Sequence, residues 1–130
     1  MIYERVRRRV SVERLSSPWT WTTPKGDPLT ADAGDFRISD PRNGGQWSIT
    51  PNALSAGYRQ VGPGVFESHG TVRAREVRAG ESEVIVGTAE GAERAVPGDW
   101  VVTDADGNQW VVDSDYFDEN YAPRRDPTDP

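Results

Sequence analysis

Oxygen-bearing side chains crowd Asp104-Ala105-Asp106-Gly107-Asn108, and clustered oxygens suit a hard cation such as calcium. The residue order argues against it. An EF-hand loop needs its glycine at the sixth position, whereas here the glycine comes fourth and the strand-like Trp110 to Val112 follows at once. A plain hairpin is the better reading. A Ser-His-Asp arrangement, or a general base near neutral pH, would have to use His69, the sole histidine, in Glu67-Ser68-His69-Gly70. No nucleophile motif surrounds it, and it reads as a solvated turn residue. The absence of Cys removes thiol nucleophiles, disulfides and Cys-based zinc sites together, and a single His leaves too few ligands for transition-metal catalysis. Acid pairs such as Asp113/Asp115 and Asp118/Glu119 could in principle hydrolyse a glycoside. In a chain with 21 acids against 15 bases they are more simply charged surface. No catalytic residue, metal ligand or cofactor is expected, and the chain reads as a protein that is not an enzyme.

Two groups of residues suit binding. Asp104, Asp106, Asp113, Asp115, Asp118 and Glu119 belong to a stretch, residues 76–121, that carries twelve acids against Arg78 and Arg94. Such a run usually keeps a small protein soluble. Its sharper reading is phosphate mimicry, in which carboxylates occupy the basic groove of a nucleic-acid enzyme or defence complex and block it. Trp19 and Trp21, two apart in a strand-like run, fall on one face, either as a flat patch for a partner or as core. The net charge of -6 disfavours direct nucleic-acid binding, which needs a net basic face. Only residues 1–15, with five Arg against Glu4 and Glu13, run the other way.

The elements that must position these residues repeat. Ala33-Gly34-Asp35-Phe36-Arg37-Ile38-Ser39-Asp40 is echoed by Pro97-Gly98-Asp99-Trp100-Val101-Val102-Thr103-Asp104. Gln46-Trp47-Ser48-Ile49 returns as Gln109-Trp110-Val111-Val112, and Leu54-x-x-x-Tyr58 as Phe117-x-x-x-Tyr121. Upstream, Val10-Ser11-Val12 answers Val72-Arg73-Ala74, and Trp19-Thr20-Trp21 answers Val84-Ile85-Val86 more weakly. Residues 9–15 and 71–78 alternate as first strands, and residues 18–22 and 83–87 are β-branched or aromatic second strands. Residues 36–40 pair with 46–50, and 100–104 with 109–113, across Asn43-Gly44 and Asp106-Gly107, dipeptides that tolerate positive φ. Short helices over 51–58 and 114–121 follow, with Thr50 and Asp113/Ser114 as capping candidates. Gly62-Pro63-Gly64 is the expected connection. Gly34-Asp35 and Gly98-Asp99 read as tight turns in which the carboxylate caps backbone N–H groups.

The expected fold is therefore mainly β: two tandem copies of a small antiparallel sheet or half-barrel unit, each closed by a short helix. The copies span residues 1–61 and 62–123, and residues 124–130, which lack apolar content, are expected to be a disordered tail. Phe36, Trp47, Leu54, Tyr58, Trp100, Trp110, Phe117 and Tyr121 are expected to be buried. No run is long enough for a membrane span, and the amino terminus alternates Arg with apolar residues in place of a signal core, so a cytoplasmic protein is expected.

At Pro97-Gly98-Asp99-Trp100-Val101-Val102, then Gly107-Asn108-Gln109-Trp110, then Phe117-x-x-x-Tyr121, the second copy resembles the small phage and prophage proteins of the PGDYG type. Thr88-Ala89-Glu90-Gly91 stands where such proteins carry a Thr-x-Glu-Gly turn. The resemblance covers residues 71–123 and departs at Trp110-Val111, where a Tyr-Pro pair is common, and at Trp100 in place of Tyr. It implies a phage-derived accessory protein, cytoplasmic or virion-associated, that binds another protein without catalysis. The alternative is a nucleotide-like small molecule held in the crevice between the copies.

Overall fold

The computed structural model describes residues 2–124. The first half runs β1 (Ile2–Arg5), β2 (Arg9–Arg14), β3 (Trp19–Thr22), β4 (Pro28–Ala31), β5 (Phe36–Ser39), β6 (Gln46–Ile49), α1 (Pro51–Gly57) and β7 (Tyr58–Gly62). The second half repeats that order as β8 (Val65–Ser68), β9 (Thr71–Glu76), β10 (Val84–Thr88), β11 (Gly91–Ala95), β12 (Trp100–Thr103), β13 (Gln109–Val112), α2 (Ser114–Asn120) and β14 (Tyr121–Pro123). The fold is mainly β, as expected. Two five-stranded antiparallel sheets, ordered β6-β5-β2-β8-β7 and β13-β12-β9-β1-β14, are accompanied by the hairpins β3-β4 and β10-β11. Of the tail expected from residue 124 onward, all but Arg124 lies outside the described residues.

The first strand of each half sits in the other half's sheet. β1 pairs with β9, Tyr3 opposite Val72, and with β14, Tyr3 opposite Pro123. Correspondingly, β8 pairs with β2, Phe66 opposite Val10, and with β7, Phe66 opposite Gln60. The chain passes from one sheet to the other through Val6, Arg7 and Arg8 in the first half, and through His69 and Gly70 in the second. Hydrogen bonds tie the two crossings together. Ser68 N–H donates to the Arg8 carbonyl and Arg5 N–H to the Gly70 carbonyl, each at 2.9 Å. Ser68 Oγ accepts from Arg8 N–H and donates to the Val6 carbonyl, again at 2.9 Å. Repeats that divide the sequence near residue 61 thus do not divide the sheets. The stretch expected to be a connection is also a hairpin, since β7 and β8 pair with each other around Gly62-Pro63-Gly64, with Gly64 at φ 66°.

Local chemistry explains the remaining elements. Gly34 and Gly98 take φ of 97° and 100°, and Asp35 and Asp99 accept from the N–H groups of Asp32 and Val96, both at 3.0 Å. Thr50 Oγ1 caps α1 by accepting from Ala53 N–H at 3.3 Å, and Asp113 Oδ1 caps α2 from Tyr116 N–H at 2.8 Å. In the second sheet Tyr3, Val72, Val102, Phe117 and Tyr121 form the core, with Trp100 and Trp110 packed against it. The Phe117 ring stacks on Trp100 at 3.8 Å between centroids, and Tyr3 meets Phe117 edge-on at 4.9 Å. Of the eight side chains expected inside, Leu54, Phe117 and Tyr121 are buried. Phe36, Trp47, Tyr58, Trp100 and Trp110 are only half-buried.

Two outcomes follow. Phe117→Ala is expected to lower stability by roughly 3–5 kcal/mol in urea melts, the range for removing a buried aromatic, and Trp47→Ala by less. A fragment of residues 62–124 lacks β1 and leaves β9 and β14 with open edges. It is expected to dimerise, each copy's β8 taking the place of β1 in the other. Light scattering after size-exclusion chromatography checks this, and a folded monomer would show that the exchange is dispensable.

Candidate functional site

The six acids separate into different roles. Asp104 is only 8% exposed, and its carboxylate accepts from the N–H groups of Asp106 and Asn108, both at 2.9 Å, and from Asn108 Nδ2 at 2.8 Å. It closes the β12–β13 turn, as the buried Asp40 does in β5–β6, and this corrects its assignment to a binding surface. Asp113 is exposed but engaged as the α2 cap. Asp106 lies in a turn that reaches toward α1, where Asn108 Nδ2 donates to Asn52 Oδ1 at 3.0 Å. Asp115, Asp118 and Glu119 remain, exposed on α2, and their spacing of three and four residues puts them on one face. None of the three carboxylates makes a hydrogen bond or ion pair among the described residues.

The internal repeat supplies a control. α1 has the same length and the same cap geometry, yet carries Asn52, Ser55 and Ala56 where α2 carries Asp115, Asp118 and Glu119. The helix does not need these acids. Asp118 and Glu119 also stand in the last turn of α2, where no basic residue of the helix balances them and the helix dipole disfavours negative charge.

Trp19 and Trp21 stack at 6.0 Å between centroids, half-buried, with Thr20 and Thr22 exposed on the opposite face. The Arg37 guanidinium lies 4.3 Å over the Trp19 ring, and Trp21 Nε1 donates to Ser48 Oγ at 2.8 Å. At the matching positions of the second half, Val84 and Val86 pack with Val101, Val111, Val77 and Ala95. The two indoles therefore fill a core position, covered by Arg37 and Ser48, and do not form a bare aromatic patch.

Between the hairpins, Asp27 accepts from Arg94 N–H at 2.9 Å and from Arg94 Nε at 2.7 Å, while Lys25 Nζ meets Asp99 Oδ2 at 2.9 Å. Arg94 holds the Asp27 carboxyl below its ordinary range. Glu93 is 7% exposed, occupying the position that Leu29 fills in the first half, and only Val111 N–H reaches it, at 3.4 Å. Burial pushes its carboxyl up to about 7.

A shallow surface groove of about 440 Å³ is lined by Tyr3, Ala74, Arg75, Glu76, Arg78, Glu81 and Trp100. Its rim is engaged with itself, since Glu81 takes Arg75 at 3.0 Å and Arg78 N–H at 2.9 Å. At the seam between the two halves lies a smaller cavity of about 20 Å³, where Arg5, Arg8, Arg42, Asp40, Tyr58 and Tyr116 converge. Sequence reasoning missed this group because it treated the amino-terminal Arg run as a basic end. The only sequence signal was the alternation of apolar residues within that run. Compared with protein-family models, curated proteins and solved structures, the chain matches none. Among the described residues, no helix is long and apolar enough to cross a membrane.

Glu93 sets a pH dependence. In the unfolded chain it ionises near its ordinary 4.5, whereas in the folded protein it stays protonated up to about 7. The folded state binds the proton more tightly, so this residue favours folding at low pH, and that contribution is lost as pH rises from about 4.5 to about 7. Glu93→Gln is expected to be more stable than the parent above neutrality by roughly 1–3 kcal/mol, with the gap closing on acidification. Denaturant titrations at several pH values check the trend, and a constant gap would refute it.

Proposed function

We propose that this chain is a noncatalytic accessory protein that binds another macromolecule, a basic protein, through the acidic face of α2. The observation that carries this reading is the pairing of exposed, unengaged Asp115, Asp118 and Glu119 with a sister helix that forms without acids at those positions. Asp118 and Glu119 are set against the helix dipole, and charge that the sister helix does without is charge available to a partner. In keeping with the resemblance of residues 71–123 to PGDYG-type phage proteins, the partner is a host nucleic-acid or defence protein whose phosphate-binding groove the carboxylates occupy. The seam has room for a water or a comparably small group, about 20 Å³. It therefore lends no support to a whole nucleotide held between the repeats.

The test replaces Asp115 and Asp118 by Asn and Glu119 by Gln in one variant, leaving the capping Asp113 in place, with Asp106→Asn as control. The triple variant is expected to melt within about 0.5 kcal/mol of the parent or slightly above it, as surface changes do. It should lose the salt-sensitive partner recovered from host lysate, while the control keeps it. Salt sensitivity is expected because exposed charges are screened beyond about 8 Å at physiological ionic strength. An unchanged partner with unchanged salt dependence in the triple variant would overturn the assignment.

A further inference from the structure

The seam is unusually rich in cations that lack an anion. Three guanidinium groups line it with one carboxylate, and Asp40 belongs to Arg42, meeting its Nη2 at 2.7 Å and its Nε at 3.1 Å. Arg5 and Arg8 reach only carbonyls: Arg5 Nη1 the Gly57 carbonyl at 3.5 Å, and Arg8 Nη2 the Glu119 carbonyl at 3.1 Å. Neither is paired with a carboxylate among the described residues, and the buried Nε of each has no hydrogen-bond partner. Two guanidinium charges partly withdrawn from water, with no carboxylate in contact, are expensive to hold. The sequence nevertheless makes room for one of them. A Cβ at Gly57 would collide with the Arg5 guanidinium, which lies between the rings of Tyr58 and Trp110, 5.6 and 5.2 Å from their centroids.

We propose that this cavity is a binding site for a small tetrahedral oxyanion of the phosphate class, gripped by Arg5 and Arg8 with the hydroxyls of Tyr58 and Tyr116 as further donors. The guanidinium fork matches such an ion, and the orphaned Nε donors are the groups it would satisfy. Volume sets the class. About 20 Å³ accepts one water-sized oxygen and excludes a base or a sugar, so the free ion or the terminal phosphoryl group of a monoester would enter by one oxygen, with the remainder at the mouth. Burial holds the Tyr58 hydroxyl up at about 12 and raises that of Tyr116 as well, so both are protonated donors at neutral pH. Asp40 is the internal competitor. Its carboxylate already takes Arg42, and its negative charge opposes an incoming anion.

The experiment is calorimetric titration of the full chain, in a phosphate-free, low-salt buffer, with inorganic phosphate and separately with ribose 5-phosphate. Saturable one-to-one binding of phosphate is expected, weakened at least tenfold in Arg8→Gln and in Arg5→Gln. Asp40→Asn is expected to shift the affinity the opposite way, since the competitor is removed. Melting curves without phosphate show whether each variant is folded. Should Arg5→Gln unfold, Arg8→Gln and Asp40→Asn carry the test. Equal affinity for both titrants identifies a phosphoryl monoester as an acceptable ligand, and binding of the inorganic ion alone identifies the free ion. No saturable binding by the parent, or affinity unchanged in folded Arg8→Gln, would overturn the site.

Discussion

Everything in this fold passes through the place where two stretches of chain cross between sheets. Three residues, Val6 to Arg8, and two, His69 and Gly70, leave little slack for either first strand to fold back beside its own neighbour. Each strand therefore continues straight into the other sheet, as happens when a short hinge favours exchange over closure. The exchange couples the halves. β1 completes a sheet whose far partner, β14, lies at the other end of the chain, so Tyr3 is opposite Pro123. The second sheet, which holds both β1 and β14, cannot close until nearly all of the described chain is present, which implies a high contact order and slow folding. Reciprocal bonds at the crossing, Val6 N–H to the Asn120 carbonyl and His69 N–H to the Gly57 carbonyl, both at 2.9 Å, also bring the ends of α1 and α2 to the same seam.

Given this constraint, the two halves have diverged by trading volume and polarity at matched positions while keeping the register. Trp19 and Trp21 stand where Val84 and Val86 stand, and Arg37 and Ser48 stand where Val101 and Val111 do. Large rings over polar partners in one half replace small aliphatics over aliphatics in the other. The seam shows the same trade. A long Arg5 faces Gly57, whereas the matching small Ser68 shares the cavity with the larger Asn120. Volume-conserving pairs of this kind are the substitutions a packed interior tolerates best.

What was legible in the sequence follows from this division between local and non-local causes. The β5–β6 and β12–β13 hairpins, the helix caps and the Gly-Asp turns were readable because their causes lie within a few residues: positive φ at glycine, a short acid beside free N–H groups. The strand exchange was not, because the pattern of Ile2, Tyr3, Glu4 and Arg5 announces a strand with Tyr3 inward but not which edge it joins. The same blindness hid the seam. Arg5 and Arg8 look like any charge run until topology draws their side chains between the sheets. Asp104 failed for a related reason, since an acid before an Asp-Gly turn can face water or cap the turn, and the matched Asp40, buried as well, was the signal for the second choice.

The distribution of charge finally separates what the fold uses from what it leaves over. Asp27, Asp40 and Asp99 each hold a cation, and Glu13, Glu67 and Glu81 answer Arg37, Arg59 and Arg75 on the surface. Among the described residues, the charges without an ion pair include Arg5 and Arg8 in the seam and Asp115, Asp118 and Glu119 on the outer face of α2. They do not neutralise each other: Arg8 reaches the backbone carbonyl of Glu119, leaving its carboxylate exposed. Isolated charge in the last turn of a helix or in a partly dry cavity destabilises, so the fold carries these groups at a cost to its stability. Charge of both signs is thus held apart within one small body, cations at the seam and anions on the outer face of α2.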